Sequence, residues 1–257
     1  MNLINTKKNV ALLSTRPYEK NIVLLKELEK TNILLLNHPL TEIKPLNNYD
    51  KFDSIICNLK KYQHIIFISS NAVKFFVERY KNLSIELPDK IIFSSIGLTT
   101  KKNLESHFKT NVHCPEDIYD SEHLIKKKIF DDIKNKKVLI IRGIGGRETL
   151  KNALKEKGAE VEYGECYIRN YLIIQQENII QEIKNFNSIF ILISSYESAK
   201  QFIESSNKWL SKYKIKFIVS HKKIGLLLEK EYPKNINGII VTNDLTSKSL
   251  SNIIKKN

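Results

Sequence analysis

HIIFISSNAVKFF at residues 64–76 and IFILISSYESAKQ at 189–201 are two versions of one pattern. Each opens on a continuous apolar run, reaches Ser-Ser, and goes on as a stretch with apolar residues three and four apart. A short run without polar alternation predicts a strand buried on both faces, and the amphipathic stretch predicts a helix covering it. The offset of 125 recurs where KIIFSSIGLTTKKNLES (90–106) matches KIKFIVSHKKIGLLLEKE (214–231), Ser95 falling on Ser220. VALLSTRP (10–17) matches VLIIRGIGG (138–146) at an offset of 128. Strands are therefore expected at 9–14, 32–36, 64–69, 91–95, 111–114, 138–142, 160–166, 188–194, 215–220 and 238–242. Helices are expected at 17–30, 71–81, 98–107, 146–157, 195–205, 221–231 and 246–255. Strands alternating with helices define an α/β protein with parallel sheets, here a five-stranded unit present twice.

In each copy the link from the second strand to the third lacks a helical pattern. It reads NHPLTEIKPLNNYD (37–50) in the first and EYGECYIRNYL (162–172) in the second. If both links cross between domains, one domain is discontinuous and the other inserted within it. Two tandem domains explain the repeat equally well.

Hydrophobic residues make up 42% of the 257 and charged residues 27%, which excludes wholesale disorder. No apolar run approaches the roughly 18–20 residues that span a bilayer. The opening MNLINTKKNVALLSTRP lacks the features of a secretory signal. Cys57, Cys114 and Cys166 are scattered without a CxxC, which suits a reducing compartment. A cytoplasmic protein with no membrane partner is expected.

The formal net charge of +14 first suggests nucleic acid. Only five of the 42 basic residues are Arg, however, and Ile and Asn are also abundant. That is the mark of a lysine-rich coding bias, so no nucleic-acid partner is expected and an anionic small molecule suits the excess better. The rare arginines carry more information, because a guanidinium grips carboxylate with a planar fork that Lys lacks. Arg16, Arg142, Arg147 and Arg169 lie at strand ends or in the second link; Arg79 lies within a helix.

Doubly wound sheets bind ligands where strands end and helices begin. Those positions read Ser14-Thr15-Arg16-Pro17, Ser69-Ser70-Asn71, Ser95-Ile96-Gly97, Arg142-Gly143-Ile144-Gly145-Gly146-Arg147, Ser194-Ser195 and Ser220-His221. Each alone reads as a plain cap; as a set their hydroxyls and free amides suit an anion. RGIGGRETL is neither a P-loop nor a dinucleotide fingerprint, yet its glycines let backbone amides approach a ligand. His107, His113, Cys114 and His123 match no zinc spacing, and no catalytic triad order is present. Tyr163, Tyr167 and Tyr171 recur every fourth residue, which in an extended segment predicts one shared face.

Taken in order, these segments resemble the uroporphyrinogen-III synthase family over essentially the whole chain. The resemblance rests on Ser14–Pro17, Ile66–Val73, Ile96–Thr100, Tyr119–Leu124 and Val138–Arg147, then on Gly158–Val161 and Tyr167–Arg169. It implies two flavodoxin-like domains joined by a two-stranded connector, with the site in the cleft between them. Residues 1–37 and 171–257 would form the first domain, 48–162 the second, and 38–47 and 163–170 the connector. It implies that hydroxymethylbilane loses its terminal hydroxyl, its last pyrrole ring is inverted and the macrocycle closes, with no metal or organic cofactor. Tyr167 matches the family tyrosine proposed to protonate the leaving hydroxyl, and Ser69, Thr100 and Ser194 fall on positions facing the cleft. The chain departs from the family at 220–223, where Ser-His-Lys-Lys replaces a Gly-Thr-Thr turn.

The expected substrate contacts are Thr15, Arg16, Ser69, Asn71, Gly97, Thr100, Ser121, Arg142, Gly145, Ser194 and Lys223. The expected partner is an anionic linear tetrapyrrole. A monomer is expected, and contact with the preceding pathway enzyme is left open. The competing expectation is a cytosolic two-domain binder of an anionic small molecule without catalysis. Only the synthase changes the product isomer.

Overall fold

A computed structural model describes residues 9–29, 31–173, 175–206, 213, 215–232 and 236–257. Residues 1–8 of the opening segment, and Lys30 at the end of the expected 17–30 helix, lie outside the described residues. The chain divides into two compact units, Met1–Glu42 with Asn170–Asn257, and Ile43–Arg169.

In the first unit, β1 (Val10–Ser14), β2 (Ile33–Asn37), β9 (Ser188–Ile193), β10 (Ile215–Val219) and β11 (Ile236–Val241) form one sheet in the order β11-β10-β9-β1-β2. All four pairings are parallel. Successive side chains leave a strand on opposite faces, so continuous apolar strands supply two cores. Ala11, Leu13, Ile189, Ile191 and Phe217 pack with α7 (Gln176–Ile183), α8 (Tyr196–Ser206) and α9 (Lys222–Glu231). Leu12, Phe190, Leu192 and Ile218 pack with α1 (Ile22–Leu28) and α10 (Ser247–Lys256).

The second unit repeats the plan. Its sheet contains β3 (Thr41–Pro45), β4 (His64–Phe67), β5 (Ile92–Ser95), β6 (Val112–His113), β7 (Lys137–Gly143) and β8 (Glu160–Tyr171), in the order β3-β8-β7-β4-β5-β6. The pairings from β8 to β6 are parallel. One face carries α2 (Asp50–Ile56), α3 (Ser70–Asn82) and α4 (Leu98–Phe108) over Ile65, Phe67, Leu139 and Ile141. The other carries α5 (Ser121–Ile125) and α6 (Thr149–Glu156) over Ile66, Val138 and Ile140. The two sheets share one order, β2-β1-β9-β10-β11 against β8-β7-β4-β5-β6, entered by the chain at different points.

Several boundaries differ from the sequence reading. The helix expected from 17 begins at Ile22, after Pro17 and a short 3-10 turn at Tyr18–Lys20. The helix expected from 146 begins at Thr149, because Gly145 and Gly146 have φ of +76° and +99°, which no right-handed helix accepts. The strand expected to end at 166 runs on to Tyr171, and β3 lies beside it. Both cross the boundary between the units. Helices α2, α5 and α7, of seven, five and eight residues, lie outside the expected helices. Among the described residues, no helix is long and apolar enough to cross a membrane, and no three His, Cys, Asp or Glu side chains gather as metal ligands. The three cysteines are free thiols.

Candidate functional site

In the second unit the winding reverses between β7 and β4. Chain leaving β7 returns through α6 to β8 on one side, and chain leaving β4 passes through α3 to β5 on the other. Ligand crevices form at such points because the departing loops separate.

Ser69 follows β4 by two residues and caps α3, its Oγ accepting the Ala72 N–H at 3.1 Å. The same oxygen lies 3.1 Å from the Tyr167 hydroxyl. The Tyr167 ring stacks on Phe75, centroids 5.7 Å apart, and passes so close to Gly143 that any Cβ there would overlap it. Tyr167 is 2% exposed, whereas Ser69 is half-buried.

A bulge in β8 creates this arrangement. Arg142 pairs with Glu165 but Gly143 with Tyr167, so Cys166 is the extra residue. An extra residue reverses the facing of everything after it. Cys166 and Tyr167 consequently both enter the core under α2, α3 and α4, while Tyr163 packs on the opposite face. Tyr171 lies exposed near the strand end. The expectation that the three tyrosines share a face is corrected, because their four-residue period assumed an unbroken strand. Burial pushes the Cys166 thiol up, leaving it a core group.

Arg142 is only 3% exposed and turns back on its own loop. Its Nε donates to Gly143 O at 3.2 Å, and Nη1 donates to Arg147 O at 3.4 Å and Glu148 Oε1 at 3.3 Å. Its Nη2 donates to Gly145 O, and the guanidinium sits 4.3 Å from the centre of the Tyr163 ring. The open fork expected at Arg142 is therefore absent; the group closes the 143–148 loop instead. Burial and then the neighbouring Glu148 raise the Tyr163 phenol to about 12, so it holds its proton. Arg147, Gly145 and the apolar side chain of Ile144 stand exposed at the loop's tip.

Four other expected contacts line the same strand-end edge. Asn71 lies half-buried in the first turn of α3. Gly97 caps α4 with open space where a side chain would stand, and Thr100 is buried one turn on. Ser121 opens α5 behind Asp120, whose carboxylate accepts the His123 N–H at 2.7 Å.

In the first unit the reversal lies between β1 and β9. Thr15 and Arg16 stand there, but both are buried and turned inward. The Thr15 hydroxyl donates to Leu192 O at 2.9 Å. Arg16 donates to Lys20 O at 2.8 Å and Leu245 O at 3.2 Å, and burial lowers its pKa. Both expected contacts thus join strand ends to their loops. Ser194, half-buried, accepts the Ser220 hydroxyl on its backbone oxygen at 2.9 Å. The hydroxyl at the start of α8 belongs to Ser195, which accepts the Ser198 N–H at 3.1 Å and donates to Ser198 Oγ at 2.7 Å. Ser195 rather than Ser194 is thus the counterpart of Ser69, a one-residue shift that the repeat offset conceals.

Helix α9 is capped by His221, whose Nδ1 accepts the Lys223 N–H at 3.1 Å. Lys223 itself is exposed. Superposing the caps Gly97 and His221 sets Thr99 opposite Lys223 and Thr100 opposite buried Ile224. The sequence reading placed Ser195 and His221 at helix starts and Gly143 in the glycine loop, but it took Ser194 and Lys223 as the contacts and did not foresee that Gly143 makes room for the Tyr167 ring. The only advance signal was the adjacent pair Cys166-Tyr167, which breaks the alternation of β8.

Two doubly wound units with capped helices at their strand ends, one holding a tyrosine against a cap, define a two-unit α/β protein with ligand crevices at its sheet edges. Residues 23–219 match the family described as uroporphyrinogen-III synthase HemD. Uroporphyrinogen-III synthase of Proteus mirabilis is 26% identical over 201 residues, covering 78% of this chain and all of that protein. The Escherichia coli enzyme is 28% identical over 160 residues, covering 62% of this chain and 65% of that one. A mutant uroporphyrinogen III synthase from the extremely thermophilic bacterium Thermus thermophilus shares the fold with a TM-score of 0.65 at 12% identity, over 96% of this chain and 100% of that one. The Helicobacter pylori enzyme does so with a TM-score of 0.57 at 15% identity, over 96% and 99%. The chain belongs to the uroporphyrinogen-III synthase HemD family. It is a haem-biosynthesis enzyme that cyclises hydroxymethylbilane.

Proposed function

We propose that this chain closes the tetrapyrrole ring with Tyr167 as the acid that releases the terminal hydroxyl. The observation that carries this reading is the Tyr167 phenol bonded to Ser69 at 3.1 Å, at the reversal point of the second sheet. Departure of the hydroxyl leaves a cation conjugated through the pyrrole, so the substrate supplies most of the drive. The protein's task is to protonate the leaving oxygen and to orient the chain so that the inverted ring is attacked.

Hydroxymethylbilane carries carboxylate arms on every ring. The first-turn amides of α3 and α4, the glycine loop and exposed Arg147 and Lys223 suit those arms. Ser69, Asn71, Gly97, Thr100, Ser121, Gly145, Ser194 and Lys223 are the proposed contacts; Thr15, Arg16 and Arg142 are proposed as framework. The protein acts as a cytoplasmic monomer on an anionic linear tetrapyrrole.

The test generates hydroxymethylbilane in situ, adds the protein, oxidises the products and separates the isomers. Ring closure without enzyme yields type I, so type III is the expected signature. Folded Tyr167→Phe should lower the rate of type III formation by about 10²-fold, a usual contribution of one acid. Unchanged turnover would remove Tyr167 from the chemistry.

A further inference from the structure

We propose that Ser69 is a catalytic residue that hands the Tyr167 proton to the leaving hydroxyl; this rests on the reading of Tyr167 as the acid. Tyr167 is almost wholly buried, its ring lodged between Phe75 and Gly143, while Ser69 beside it is half-buried. A substrate oxygen arriving from solvent therefore meets Ser69 before the phenol. Ser69 Oγ already accepts the Ala72 N–H at 3.1 Å. When it also accepts the Tyr167 O–H at 3.1 Å, both its lone pairs are engaged and its own proton points away from both partners. That proton is the one available to the substrate.

The equivalent hydroxyl in the first unit behaves differently. Ser195 donates to Ser198 within its own first turn, which closes the cap locally. Three residues after Ser69 stands Ala72, which has no hydroxyl to accept, and the Ser69 oxygen instead meets a phenol 98 residues away in the chain.

As the C–O bond breaks, the departing oxygen takes the Ser69 proton and leaves as water. Ser69 is refilled by the Tyr167 proton, and the pyrrole nitrogen lone pair stabilises the cation left behind. Ring inversion forms a bond at the substituted α carbon of the last pyrrole and breaks that carbon's bond to its bridging methylene. The methylene rejoins at the free α carbon, which loses its proton as Tyr167 recovers one. The N-terminus of α3 favours the transient phenolate.

The experiment is a double-variant cycle on the full chain, read as kcat for type III formation. Ser69→Gly removes the hydroxyl but keeps a residue tolerated at an N-cap; Ser69→Thr keeps both hydroxyl and cap. Circular dichroism and urea midpoints confirm folding. Ser69→Gly is expected to fall about as far as Tyr167→Phe, roughly 10²-fold, with the double variant no lower than either, since the residues act as one unit. Ser69→Thr should recover to within about tenfold of the parent. Folded Ser69→Gly retaining parental kcat while Tyr167→Phe loses it would overturn the relay and leave the acid intact. Multiplying losses in the double variant would also overturn it. Undiminished Tyr167→Phe would overturn both readings.

Discussion

At the scale of single residues, contact between Gly143 and Tyr167 sets where the phenol stands. A methyl at 143 enters the ring's space, so Gly143→Ala must push Tyr167 away from Ser69 or distort β7. The expected outcome is a stability loss of roughly 1–3 kcal/mol in urea unfolding, with a fall in type III formation. His64 makes a different prediction. It is buried against Phe130, and burial, then Lys136 and His113, lower its pKa to about 4. The unfolded chain takes up that proton near pH 6.5, so its contribution is whole above that pH and is lost as pH falls toward 4. Urea midpoints at pH 7.5 and 5 should show a drop, on the order of 1–3 kcal/mol, that His64→Leu flattens.

At the scale of elements, the 143–148 loop and the bulge in β8 form one device. Arg142 ties the carbonyls of Gly143, Gly145 and Arg147 together while the Ile144 N–H donates to Tyr167 O at 2.8 Å. Arg142→Lys loses the fork that reaches several acceptors at once. It should cost about 1–3 kcal/mol and speed amide exchange at 144–148, measured by mass spectrometry. Equal protection in variant and parent would remove Arg142 from loop closure. The rare-arginine argument thus singled out Arg16 and Arg142 but set Arg79 aside, and the fork at all three grips the chain's own groups. Arg79 grips Asp53 on α2 with both arms, and Arg16 holds its strand-end loop. The planar fork serves packing of the chain's own elements at three of the five arginines.

At the scale of the whole molecule, the chain enters two copies of one sheet at different strands. The second unit is continuous, contains its central strand β7, and carries cores on both faces. A fragment spanning 41–171 should therefore fold alone, with cooperative urea unfolding and parallel α/β circular dichroism. The fragment 170–257 lacks β1 and β2, leaving the edge of β9 unpaired. It should aggregate or remain unfolded. A cooperative transition in that fragment would contradict the assigned pairing of β1 with β9.

Local pattern determined much of this protein. Continuous apolar runs ending in Ser, Thr or Gly fixed the α/β class, ten strands, the main helices and the strand ends where the candidate site lies. Those signals are short-range: burial of a strand on both faces and capping of a helix are written into adjacent residues. Tertiary structure decided where each polar group points. Ser69 and Ser194 look equivalent in sequence, yet one meets Tyr167 and the other yields the cap to Ser195. Arg142 looks free beside its glycines, yet its fork closes on the loop. One inserted residue at Cys166 turns Tyr167 toward the helix that Ser69 begins. Facing along a strand has a period of two, so a single extra residue reverses it, and only the pairing with β7 reveals where that residue lies.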